Sequence, residues 1–195
     1  CLERCACGVG EWGKERMSSI GPSTITEEGG SSIAGPALEQ EHVHDVYDAI
    51  AHHFSATRYA PWPLVDSFLK ELPAGSCVAD VGCGNGKYLG VNPDLAMFAS
   101  DMSSKLGDIV VSRGFDFCRA NALKTPYRSA AFDAAISVAV IHHFADDTRR
   151  VQAIQEMARI VRPGGQVLVQ VWAFEQSKNK YTDQDVLIPW HVPKG

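Results

Sequence analysis

The segment Asp80-Val81-Gly82-Cys83-Gly84-Asn85-Gly86-Lys87-Tyr88, which overlaps the end of an apolar run at Cys77–Val81, constrains the fold more than any other feature. Glycines at alternate positions let the backbone turn tightly and approach a ligand with no Cβ in the way. Two phosphate-binding templates fail here. A dinucleotide fingerprint needs glycine at position 87, where Lys87 stands. A P-loop needs Ser or Thr after Gly86-Lys87, where Tyr88 stands. The segment is therefore an ordinary glycine-rich strand-to-helix turn or one that faces a different ligand.

Apolar runs recur downstream at Cys77–Val81, Ala96–Ser100, Phe115–Arg119, Ala131–Val138 and Gln166–Trp172, separated by helical or turn segments. One such helix carries Val151, Ile154, Met157, Ala158 and Val161, with Asp146 or Asp147 near its start. This alternation predicts an α/β fold with a mostly parallel sheet and helices on both faces. Ligands of such sheets bind at the carboxyl ends of the strands. Upstream, Val43, Val46, Tyr47, Ile50, Ala51 and Phe54 form a helical stripe, and Leu64, Val65, Phe68, Leu69 and Leu72 form a second. Pro61 and Pro63 break the chain between them.

Residues 1–37 are rich in Gly, Ser, Glu and Pro without periodicity and are expected to be disordered; residues 38–195 form one domain. The first Met is Met17, so residues 1–16 are read as translated upstream sequence or as part of a longer chain. Cys1, Cys5 and Cys7 lack a fourth ligand for a tetrahedral site, and Cys77, Cys83 and Cys118 read as buried thiols, so no metal site is expected. No apolar run suits a bilayer, and no membrane association is expected. The formal net charge of -5 is not the footprint of a chain that grips nucleic acid by bulk charge, so an RNA substrate would need a local basic patch or a partner.

The D-x-G-x-G-x-G spacing from Asp80 resembles motif I of class I S-adenosylmethionine-dependent methyltransferases, and Pro163-Gly164-Gly165 matches a turn common in that superfamily. The resemblance implies a Rossmann-like fold and S-adenosyl-L-methionine as cofactor. It implies that Asp80, Gly82, Gly84, Asn85 and Gly86 form the turn facing the cofactor, and that Asp101 accepts the ribose hydroxyls. Asn121, beside Ala122, is expected near the adenine amine, where the family usually has Asp.

Five further segments narrow the resemblance: Arg58-Tyr59-x-Pro61-Trp62-Pro63, the glycine turn through Pro93, Ile136-Ser137-x-Ala139-x-x-His142-His143, Trp172-Ala173-x-Glu175-Gln176, and Val186-x-x-Pro189-Trp190-x-x-Pro193-Lys194-Gly195. They look like the eukaryotic tRNA wobble-uridine carboxymethyl methyltransferases, which include the methyltransferase domain of the AlkB-like tRNA hydroxylase. The implied reaction is esterification of 5-carboxymethyluridine. A carboxylate is ionised at neutral pH and needs no base, so alignment and exclusion of water are the main tasks. Arg58 is the candidate partner of the carboxylate or a phosphate. His142 and His143 are read as substrate-side residues or as helix-start packing. Trp62 and Trp190 are read as stacking on bases or as Pro-Trp packing, and Tyr59 and Lys194 belong to the same substrate-side segments.

The family's fold carries two strands beyond the fifth, so the domain is read as C-terminally incomplete. The resemblance also implies tRNA and a small zinc-binding activator subunit as partners, and a cytoplasmic, in part nuclear, location. Two other functions fit the generic motifs: a small-molecule methyltransferase, and a catalytically silent interaction module. The segments around Trp62 and Trp190 separate the first from the tRNA reading, and cofactor binding separates the second.

Overall fold

The computed structural model describes residues 35–172 and Trp190. Expectations for residues 1–34 and for Lys194 lie outside them. The described residues open with one continuous rod of helix: α1 (Pro36–Glu39), a π-helical segment (Gln40–His44) and α2 (Asp45–Thr57). Pro36 sits in the first turn, where its missing N–H costs nothing. Helix α3 (Pro63–Glu71) starts on another proline. Then follow β1 (Cys77–Val81), β2 (Ala96–Asp101), α4 (Ser104–Ser112), β3 (Phe117–Arg119), β4 (Phe132–Val138), α5 (Asp147–Ile160) and β5 (Val161–Gln170).

The five strands among the described residues are parallel, in the order β3-β2-β1-β4-β5. Two crossovers diverge between β1 and β4, and this switch point opens a crevice at the carboxyl ends. Because side chains alternate across a strand, β1 feeds both faces. Val78 packs with Val65 and Leu69 of α3, while Ala79 and Val81 pack with Met157 and Ile160 of α5. The three-layer α/β arrangement is the one expected from the alternating runs. No helix among the described residues is long and apolar enough to cross a membrane.

Two details differ from expectation. The buried face of α5 is Ala153, Glu156, Met157 and Ile160, while Val151 and Ile154 are exposed and Val161 belongs to β5. Asp146 caps the helix, accepting from Arg149 N at 2.9 Å, and the sheet sets which stripe turns inward. Glu156 tolerates burial because it accepts from Thr125 N, from Thr125 Oγ1 and from Arg159 at 2.6–2.7 Å. Second, Pro163-Gly164-Gly165 is not a turn ahead of the fifth strand but an irregularity within it. Pairing jumps from Phe132–Val161 to Ala134–Gln166, and a Cβ at Gly165 would overlap the Asp133 carbonyl oxygen.

The Glu156 network makes a testable pH dependence. Its hydrogen bonds to Arg159, and then to Thr125, hold its carboxyl down at about 2 against an ordinary 4.5. A depressed carboxylate stabilises the fold fully above 4.5, and that stabilisation is lost as pH falls toward 2. Glu156→Gln is expected to cost about 2 kcal/mol at pH 7 and much less at pH 2. Chemical denaturation at both pH values checks this, and an equal loss at both would refute it.

Candidate functional site

A cavity of about 220 Å³ lies at the switch point, lined by the glycine turn, the ends of β2 to β5, and the inner face of the α1–α2 rod. Gly82 and Cys83 donate to the Ser100 carbonyl at 2.8 and 2.9 Å, fastening the glycine turn to β2. Gly82, at φ 81, has no room for a side chain, since a Cβ would overlap Val140. No helix follows β1. The chain runs instead through turns closed by i→i+3 bonds, Gly86 to Cys83 and Leu89 to Gly86. The glycine turn therefore does not lead into a helix N-terminus, as the phosphate-binding templates require.

Asp101 ends β2 and lines the cavity. Its carboxylate accepts from Gly84 N at 2.8 Å and Ser103 N at 2.9 Å. Burial raises its pKa, against which these backbone donors work. Two bonds leave a carboxylate with free lone pairs, enough for a pair of hydroxyls. Asp80 does not line the cavity. It is 1% exposed behind the turn, and its Oδ2 has no hydrogen-bond partner. Burial, and secondarily the charge of Asp101, push its pKa up to about 7, while Lys87 pulls it down. Gly86 also lies behind the lining, packed against Leu89 and Val110.

Asn85 lines the cavity, but its amide nitrogen is committed to Ser55 Oγ and the Arg58 carbonyl at 3.3 and 3.2 Å, tying the turn to α2. Ala122 and Asn121 line the far side. The Asn121 oxygen accepts from Leu123 N at 2.9 Å, so one of the lone pairs expected for an adenine amine is already used.

His142 and His143 lie in a 3₁₀ turn (Ile141–His143) entered through Ala139, whose φ of 58 is unusual for a residue with a side chain. Burial lowers their pKa values to about 4 and about 3. Both are neutral at pH 7 and supply no positive charge to the cavity. His143 Nε2 lies 3.1 Å from the Tyr47 hydroxyl, a phenol that burial and then Asp101 push up to about 12.

The tryptophans are not bare platforms. Lys87 Nζ sits 5.1 Å from the Trp62 ring centre, and the Arg58 guanidinium carbon sits 5.4 Å from that of Trp190. Each indole thus holds a cation on one face. Trp190 also donates its N–H to His53 Nδ1 at 3.0 Å. Arg58 lines the cavity and makes no ion pair with a described carboxylate. Tyr59, by contrast, is 76% exposed and outside the cavity. Sequence reasoning missed Lys87, Tyr47 and Trp172 as lining residues. The signal for Lys87 was present: a cation inside the glycine turn itself. No cluster of three or more metal-ligating side chains occurs among the described residues.

The cavity's elements coincide with known proteins. Residues 79–169 match a family described as a methyltransferase domain. A mouse protein named tRNA (carboxymethyluridine(34)-5-O)-methyltransferase ALKBH8 is 54% identical over 171 residues, covering 86% of this chain and 25% of that protein. A Schizosaccharomyces pombe protein named tRNA (carboxymethyluridine(34)-5-O)-methyltransferase is 49% identical over 164 residues, covering 78% of this chain and 68% of that protein. The chain spans 22–32% of the length of three vertebrate relatives. Among solved structures, a Thermotoga maritima protein described as a SAM-dependent methyltransferase superposes with a TM-score of 0.56 at 22% identity. It covers 70% of this chain and 65% of that one, and so shares its fold.

Proposed function

The chain belongs to the tRNA (carboxymethyluridine(34)-5-O)-methyltransferase family, and from that premise we propose that it methylates the carboxylate of 5-carboxymethyluridine in tRNA, using S-adenosyl-L-methionine held in the switch-point cavity. The observation that carries the reading is the cavity itself. It puts the acceptor carboxylate Asp101 and the cations Arg58 and Lys87 into one space.

The residues fit the cofactor. Gly82 and Gly84 bring backbone to the cavity wall, and Asp101 keeps lone pairs for the ribose hydroxyls. Asp80, with an unpartnered buried carboxylate oxygen, backs the glycine turn from outside the cavity lining. Gly84, Ala122 and the second lone pair of Asn121 complete the holding set. When bound, S-adenosylmethionine would supply a methyl group on a positively charged sulfur; an ionised carboxylate could take that methyl without a base, the sulfur keeping the bonding pair and leaving as neutral S-adenosylhomocysteine. The chain's own task is alignment and exclusion of water. The α1–α2 rod does the excluding: Val43, Tyr47 and Phe54 roof the cavity. Neutral His142 and His143 act as walls and as the anchor of Tyr47.

Arg58 is the residue proposed to hold the acceptor's carboxylate or a neighbouring phosphate. Arg58→Ala is expected to slow transfer to carboxymethylated tRNA tenfold to a hundredfold, the equivalent of about 1.5–3 kcal/mol. S-adenosylhomocysteine affinity should change much less. Equal transfer rates for variant and parent would reduce Arg58 to a surface residue. The decisive assay is mass spectrometry of wobble nucleosides after incubating the chain with S-adenosylmethionine and carboxymethylated tRNA. It should be run with and without a small zinc-binding activator subunit, the partner proposed from the family. Methyl ester formation is expected; untouched tRNA in both arms would leave only the fold and the family.

A further inference from the structure

The cavity is divided by charge along the sheet. Asp101 and Asn121 stand at the ends of β2 and β3, on one side of the switch point. On the other side, Trp172 follows β5 and meets Trp62 edge-on, ring centres 5.5 Å apart. Trp62 and Val138, at the end of β4, pack against the same buried cluster, which includes Tyr88 and Ile136. Lys87 lies over this aromatic group, 5.1 Å from the centre of Trp62 and 4.9 Å from that of Tyr88. Its ammonium makes no ion pair with a described carboxylate, although it lines the cavity and is substantially withdrawn from water. That burial lowers its pKa, Asp80 behind the turn offsets part of the cost, and an anion bound beside it on the cavity side would offset more. Two aromatic faces fix the position of the charge, so little rotamer freedom is left to lose when a ligand arrives.

We propose that Lys87 is a specificity-determining residue that holds the acceptor's carboxylate against Trp62, leaving Arg58 to the neighbouring phosphate, so that the site selects the ionised acid and releases the neutral ester. This rests on the carboxylate-methylating reading above and adds the residue that makes charge the criterion. Methylation of one carboxylate oxygen abolishes the negative charge. The product then loses its ion pair with Lys87 while the ammonium stays half-buried, which favours product departure. The same logic discriminates against a carbamoylmethyl uridine of nearly the same shape, because an amide brings no charge to the ammonium.

The test compares three anticodon stem-loops carrying wobble carboxymethyluridine, its methyl ester or its amide, each titrated against the chain saturated with S-adenosylhomocysteine. The parent is expected to bind the acid about tenfold or more tighter than ester and amide, the scale of one charge-assisted bond. Lys87→Met, which keeps an unbranched apolar stem, should bring that ratio to within about threefold by losing acid affinity alone, and Lys87→Arg should restore most of it. Unchanged S-adenosylhomocysteine binding by Lys87→Met shows that the variant is folded. If Lys87→Met keeps the parent's acid-to-ester ratio, Lys87 merely packs on Trp62 and the proposal falls while the function stands. If Lys87→Met weakens S-adenosylhomocysteine binding but leaves the ratio intact, Lys87 serves the cofactor's own carboxylate, which also overturns it. A parent that does not prefer the acid overturns this inference, while the proposed function stands or falls separately on methyl ester formation in the wobble-nucleoside assay.

Discussion

Asp101→Ala is expected to weaken S-adenosylhomocysteine binding at least a hundredfold, about 3 kcal/mol or more, in a protein that still folds. Two losses combine. The cavity loses the carboxylate proposed to accept the ribose hydroxyls. Gly84 N and Ser103 N, which it holds at 2.8 and 2.9 Å, lose their acceptor as well, so the turn under the cofactor loosens. Folding stability should move less than affinity, because two effects oppose each other. The orphaned N–H groups destabilise, but removing a carboxylate whose pKa burial has raised relieves a cost. Asp101→Asn keeps one oxygen acceptor and loses the charge, and its affinity should fall between parent and Ala. Calorimetry on the three proteins checks the order, and parent-like affinity in a folded Asp101→Ala protein would sink the cofactor assignment.

Breaking the buried ion pair of the roof should have the largest effect on stability. Glu39, 3% exposed, accepts from Arg149 Nε and a terminal guanidinium nitrogen at 2.6 Å each, and from Ala145 N at 2.9 Å. The pair closes one end of the α1–α2 rod. The rod's middle is tied by Tyr47 to His143, and by Asp48 to Ser103 Oγ at 2.5 Å and to Lys105 N at 3.2 Å. Arg149→Ala leaves a buried charge with one backbone donor, a change that costs about 3–5 kcal/mol if nothing relaxes. Because α1 is a single short turn, the protein should instead release it, so the loss is felt as local opening. Amide exchange at residues 37–44 is expected to accelerate strongly in Arg149→Ala, and cofactor affinity to fall with it. The double variant Glu39→Leu with Arg149→Met should recover most of the protection, since an apolar pair carries no unpaired charge. Equal exchange in the single and double variants would show that the ion pair does not hold the roof.

Much of the site was legible because its signals are local. The glycine spacing from Gly82, the apolar run Cys77–Val81 and the acid Asp101 after the next run each lie within a few residues of their neighbours. Local backbone chemistry therefore places them: β1 spans the expected residues, and β2 extends by one to take in Asp101. The direction of the α5 face was not legible. Val151 and Ile154 are as apolar as Met157, and only packing on β1 and β4 turned Ala153, Met157 and Ile160 inward. The burial of Glu39 was equally hidden, because its partner is 110 positions away in the chain. Lys87 was visible as a residue but not as a site. Its meaning depends on Trp62 in front of it and Trp172 after the last strand, which meet only when the sheet is assembled. The histidines show the same division. Their place after β4 follows from the sequence. Their neutrality is a consequence of burial, a property of the whole fold that no run of neighbouring residues encodes. What the sequence by itself determined was the order of strands and helices, the glycine turn and the acid that closes it, all set by short-range conformational preference and hydrophobic period. Which faces turned inward, which charges lost their water and which cation met which indole were decided by tertiary structure, because desolvation and long-range pairing exist only after the layers have packed.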